Sequence, residues 1–111
     1  MSLPRKRTKY GAVKTTVDGI TFDSKREANR WCELKLLERA GKITNLARQV
    51  EYPLWASNQK LVGCYIADFA YTENGSLVVE DVKSPATAKN ALYVWKKRHL
   101  QKQDGIEIRE V

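Results

Sequence analysis

The chain has 111 residues, 42% of them hydrophobic, and carries 20 Lys and Arg against 13 Asp and Glu for a net charge of +7. That length suits one domain around one modest core and leaves no room for a second. No apolar run is long enough to cross a membrane as a helix, a single histidine is present and the two cysteines lack CxxC spacing, so neither a zinc finger nor His-metal nuclease chemistry is expected.

The first ten or so residues read as a basic arm, set here as residues 1–11, with the single domain over 12–111. The arm leads into Gly and Thr residues rather than a signal-peptide core, so a cytoplasmic location is expected. Ala12 to Thr16 and Ile20 to Phe22 flank Val17-Asp18-Gly19, where Asp-Gly predicts a short hairpin. Ser24-Lys25-Arg26-Glu27 has capping-box spacing, and helix formers continue to Ala40 before Gly41 stops them, which predicts a helix over 24–40. A core strand follows from about Arg48 to Leu54, with Pro53 at an edge or end. A second hairpin is expected over 61–72 and 76–83. Ser84-Pro85 opens a second helix whose apolar stripe is Ala88, Leu92 and Trp95, and Asp104-Gly105 closes it. Ile106 to Val111 alternates as a half-buried strand does. Cys32 and Cys64 are expected to be buried free thiols. The order is hairpin, α, β, β, β, α, β, which makes an α/β fold with a mixed sheet flanked by helices.

Asn74-Gly75 between two β-rich runs is a strong type I′ turn signal, since both central residues need positive φ. A two-residue loop pairs Tyr71 with Val78, Phe69 with Glu80 and Asp68 with Asp81. The last would be a non-hydrogen-bonded pair, with Cα atoms about 4.5 Å apart and side chains close. Two carboxylates so placed repel each other unless they share a proton or bind a cation. Lys83 lies on the same face as Asp81, so the register predicts a divalent-metal site with oxygen ligands, suited to Mg²⁺ or Mn²⁺. Glu80 points to the opposite face and is not expected to be a ligand.

Charge is segregated as well. Arg5, Lys6, Arg7, Lys9 and Lys14 lie in an acid-free stretch over 1–17, and Lys89, Lys96, Lys97, Arg98 and Lys102 in another over 84–102. The remainder has a slight acidic excess. This pattern predicts a polyanionic partner, with a soluble basic face as the plainer alternative.

Residues 20–111 resemble the PD-(D/E)xK nuclease superfamily, whose restriction-endonuclease-like core runs αβββαβ. The motif residues would be Asp68 on one strand and Asp81-Val82-Lys83 on the next, with Glu27 on the first helix completing the site. Ala67 stands where the superfamily motif has proline, and Asp81 where glutamate is more usual; neither change removes a ligand. Lys9-Tyr10-Gly11, the run from Val17 to Lys25 and Val79-Glu80-Asp81-Val82-Lys83 resemble a group of small phage and prophage proteins within the superfamily, for which Holliday junction resolution has been proposed.

The resemblance implies a Mg²⁺-dependent DNA endonuclease that cuts by metal-activated water. Asp68, Asp81 and the Val82 carbonyl would hold the metal, Lys83 would position water or stabilise developing charge, and Glu27 would bind a second ion or orient Lys83. Glu27 has a second available role, completing the capping box with Ser24. Tyr93, Lys96 and Lys97 would contact phosphate together with Arg5, Lys6, Arg7, Lys9 and Lys14. Trp31, Trp55 and Trp95 are expected in the core or an interface, and His99 as a packed structural residue. Junction cutting needs two active sites, which implies a homodimer. The alternative is a non-catalytic nucleic-acid-binding protein on the same scaffold; RNA remains an open substrate, and no membrane partner is expected.

Overall fold

A computed structural model describes residues 13–111. The arm cations Arg5, Lys6, Arg7 and Lys9 lie outside the described residues, and Lys14 is exposed just before the first strand. Asp18 and Gly19 take φ of 49° and 78°, which lets β1 (Thr15–Val17) fold directly onto β2 (Ile20–Phe22). Helix α1 (Lys25–Arg39) starts where the Ser24 side chain accepts the Glu27 N–H at 3.0 Å. The helix expected over 24–40 is therefore present with its caps at those two residues.

Strands β3 (Thr44–Trp55), β4 (Leu61–Glu73) and β5 (Ser76–Asp81) form an antiparallel meander. A crossover then runs through α2 (Pro85–Ala88) and α3 (Ala91–Asp104) and returns β6 (Ile108–Glu110) parallel to β5. The sheet is thus mixed, in the order β3-β4-β5-β6, with the two-stranded hairpin separate. Strand β3 is four residues longer at its start than expected, and its Pro53 sits on an edge strand, where the missing N–H costs least.

Two apolar clusters sandwich the sheet. Phe22, Ala28, Leu34, Ile43, Phe69 and Tyr71 pack on the α1 side. Leu54, Tyr65, Ala67, Ala70, Val79, Leu100 and Ile108 pack on the α3 side. Alternate residues of a strand ordinarily line one face. Yet Tyr65 and Ala67 belong to the α3 cluster, and Phe69 and Tyr71 to the α1 cluster. Strand β4 therefore exchanges its faces at Asp68. Its neighbour β3 does the same at Gln49, since Arg48 stacks over Phe22 while Val50 packs with the α3 cluster.

Three expectations are corrected. Cys32 is exposed and Cys64 half-buried, so the two free thiols are not core residues. The second helix breaks at Lys89-Asn90, and its expected apolar stripe faces outward: Leu92 is 60% exposed and Trp95 45%. Leu100 and the half-buried Tyr93 pack inward instead. Trp31 packs with Phe22 and Phe69, whereas Trp55 and Trp95, each 45% exposed, lie outside the core, so for these two only the core half of the core-or-interface expectation is corrected. His99 is structural as expected, with Nε2 2.7 Å from the Trp55 carbonyl oxygen and its ring against Trp95. Among the described residues no helix is long and apolar enough to cross a membrane.

Candidate functional site

The register counted from Asn74-Gly75 holds from Glu73↔Ser76 to Phe69↔Glu80 and stops there. Asn74 and Gly75 take φ of 52° and 78°, as a type I′ turn requires. Beyond Phe69 the β4–β5 ladder ends, and the β3–β4 ladder is interrupted at Asp68 before it resumes at Val50↔Ala67. Gln49, which the β3 register would set opposite Asp68, adopts φ 50° and makes no ladder pair.

Where the strands part, the two carboxylates replace the ladder. Asp81 Oδ1 accepts the Asp68 N–H at 2.9 Å, and Asp68 Oδ2 accepts the Val82 N–H at 2.9 Å. The expected face-to-face repulsion is corrected by this crossing, in which each acid is held by an amide at the other's strand. Each keeps its second oxygen for another partner. Neighbouring groups also orient Val82. The Val111 N–H donates to the Asp81 carbonyl and the Lys83 N–H donates to the Val111 carbonyl, so the amides flanking Val82 turn toward β6. By the alternation of an extended strand, the Val82 N–H and carbonyl turn the other way, toward Asp68.

Burial dominates the electrostatics. Asp81 is 2% exposed, and desolvation pushes its pKa up to about 6, against the opposing pull of the Lys83 ammonium and the Asp68 amide. Asp68 is shifted upward for the same reason, opposed by the Val82 amide and Lys83. Glu27, 5% exposed at the start of α1, is pushed up to about 7 by burial first and then by the charges of Asp68 and Asp23. Its side chain does not close a capping box with the Ser24 N–H; Oε1 instead lies 3.5 Å from Gln49 Nε2. Among the described residues no three His, Cys, Asp or Glu side chains form a group able to hold a metal ion. The converging acids are Asp68 and Asp81, with Glu27 beside Asp68 as a charged neighbour.

Cations bracket the pair from both faces of the sheet. Lys83 Nζ sits 4.4 Å from the centroid of the Tyr93 ring. A cleft of about 250 Å³ opens there, lined by Asp81, Lys83, Tyr93 and Lys96 among others. Lys97 is less available, because Glu110 Oε2 takes both its ammonium at 3.1 Å and the Tyr93 hydroxyl at 2.6 Å. On the α1 side the Arg48 guanidinium stacks over Phe22 and Trp31 at 4.8 and 5.9 Å, and its charge favours ionised Glu27 and Asp68. Its Nε is buried without a hydrogen-bond partner.

Glu80, wholly buried, faces the other way as alternation predicted. Both its oxygens accept from Arg30, at 2.8 and 2.7 Å, and Oε2 also accepts from the Tyr71 hydroxyl. That buried network anchors β5 to α1 one residue before Asp81. Sequence reasoning did not single out Asp23, Arg48 or Gln49. A lone Arg or Gln in a strand carries no local mark of its role, whereas Asp23, directly before the helix cap, could have been found from the capping position.

The chain belongs to a family of proteins of unknown function, DUF1064, whose model matches residues 7–108. No curated protein and no solved structure matches it.

Proposed function

We propose that this chain is a divalent-metal-dependent endonuclease with a PD-(D/E)xK-type core, hydrolysing phosphodiester bonds of DNA. The observation that carries the reading is the crossed pair Asp68 and Asp81, placed where β4 and β5 part, with Lys83 on the same side. The order α, β, β, β, α, β and the mixed sheet agree with it.

The donor set fits Mg²⁺ or Mn²⁺. Such ions take one or two carboxylates and keep several waters, and each acid of the pair uses one oxygen on an amide and retains the other. Two buried acids whose ionisation is disfavoured also gain from a nearby cation. When bound, the metal would neutralise phosphate charge and acidify water. Asp68, Asp81 and the Val82 carbonyl would hold it. Lys83 brings a compact ammonium with three donors, able to orient the attacking water or to meet charge developing on the phosphate. Arg48 adds a fixed positive charge from the opposite face of the sheet. Glu27 would act through its electrostatic coupling to Asp68, whose charge opposes its ionisation. Lys96 and Tyr93, at the cleft, are suited to contact flanking phosphate. Cutting a branched junction would require two such sites and therefore a homodimer.

A second reading, a non-catalytic nucleic-acid-binding protein on this scaffold, draws on the lack of a third acidic ligand among the described residues. A Mn²⁺ binding titration separates the two. The parent should bind one ion saturably, and Asp81→Asn should weaken binding by more than about tenfold. No saturable binding, or binding indifferent to Asp81→Asn, would favour the second reading.

A further inference from the structure

The outward face of α3 carries a feature that the cleavage site does not use. A groove of about 420 Å³ runs along it, lined by Lys89, Val94, Trp95, Arg98, His99 and Lys102 among others. No acidic residue lines it, and none occurs in the chain from Val82 to Gln103. Among the described residues, no ion pair engages Lys89, Arg98 or Lys102, whereas Lys97, on the inward side, is held by Glu110. Trp95 stands 45% exposed at the groove, with one side of its ring near Gly63 and His99.

A row of unpaired cations attracts a polyanion, and an exposed indole offers a flat face for an aromatic ring. A duplex presents phosphates but keeps its bases stacked inside, so it would leave Trp95 unused. An acidic peptide would satisfy the charge and likewise leave the indole without a partner. A single strand satisfies both, with phosphates on the cations and an unpaired base on the ring. We propose that the α3 groove is a single-stranded nucleic-acid site, with Lys89, Arg98 and Lys102 holding the backbone and Trp95 stacking a base.

Leu92 and Lys96 line the cleft beside Asp81, on the same helix. The groove and the cleft are thus separated by about one helix diameter, roughly 10 Å. This placement extends the nuclease reading and rests on it for one consequence: the substrate would carry a single-stranded arm, as a flap or an opened junction does. The binding site itself does not depend on cleavage.

The test is binding of fluorescein-labelled dT12 and rU12, and of a blunt 12-base-pair duplex, to the full chain in EDTA across a salt series. Trp95→Ala should weaken single-strand binding about tenfold, and Trp95→Phe should restore most of it. Replacing Lys89, Arg98 and Lys102 with Ala should lower the salt slope for the single strand by about 2. Unchanged affinity in Trp95→Ala, an equal loss on the duplex, or equally tight binding of a poly-glutamate peptide would overturn the proposal. Because EDTA removes the metal, failure of the cleavage site leaves this measurement intact.

Discussion

Burial of acids without a full complement of cations makes the stability of this protein depend on pH. The Glu27 carboxyl is moved from an ordinary 4.5 to about 7, and Asp81 to about 6, chiefly by desolvation. Folding thus favours their protonated forms. The stability this represents is fully present below about pH 4.5 and is lost as pH rises through about 7. In EDTA, thermal unfolding should therefore occur at a higher temperature at pH 5 than at pH 8, and Glu27→Gln should flatten that difference. An unaltered pH dependence in the variant would contradict the assignment. Glu80 gives a contrasting case, since its wholly buried carboxylate is held by Arg30 and Tyr71. Glu80→Ala should cost about 3–5 kcal/mol in urea unfolding, because it removes the buried carboxylate that Arg30 and Tyr71 both bond and leaves Arg30 only its outer pairing with Glu33.

Among the elements, the β4–β5 hairpin matters most, because its turn sets which residues meet at the carboxylate pair. Gly75 sits at φ 78°, and Gly75→Ala should destabilise the chain by about 1–2 kcal/mol in urea unfolding. A stability equal to the parent would show that the turn is not under this constraint. The hairpin was legible in the sequence because Asn-Gly demands a particular backbone and the register then follows by counting. The exchange of faces at Gln49 and Asp68 was not legible. A Gln at φ 50° has no local signal, and only the packing of both sheet faces reveals it. For that reason the register brought the right residues together but with the wrong contact: Asp81 crosses to the Asp68 amide and Asp68 to the Val82 amide, instead of the two acids facing off. Helix α3 misled in another way. Its inward face is made by Tyr93 and Leu100, beside a Lys97 tied to Glu110, so the more apolar Leu92 and Trp95 look like the buried stripe and are not.

At the scale of the whole molecule, acids and cations are sorted by place. Where the sheet splits, Glu27 feels the charges of Asp68 and Asp23, Asp68 feels that of Asp23, and Asp81 holds the Asp68 amide, while basic residues line the cleft beside them and the far side of α3. Under the proposed nuclease function, this arrangement would draw in a polyanion and hold a dication against it. The element order and the mixed sheet were readable from turn signals, capping residues and alternation, since each is a local constraint. The cluster around Arg48 was not, because it depends on how β3 meets α1. The decisive measurement is metal-dependent cleavage: junction, duplex and single-stranded DNA incubated with the parent, Asp81→Asn or Lys83→Ala, in Mg²⁺ or in EDTA. The parent should cut in Mg²⁺ alone, and either substitution should lower the rate by at least about 10²-fold. Cleavage that persists unchanged in both variants, or no cleavage of any substrate by the parent, would contradict the proposed function.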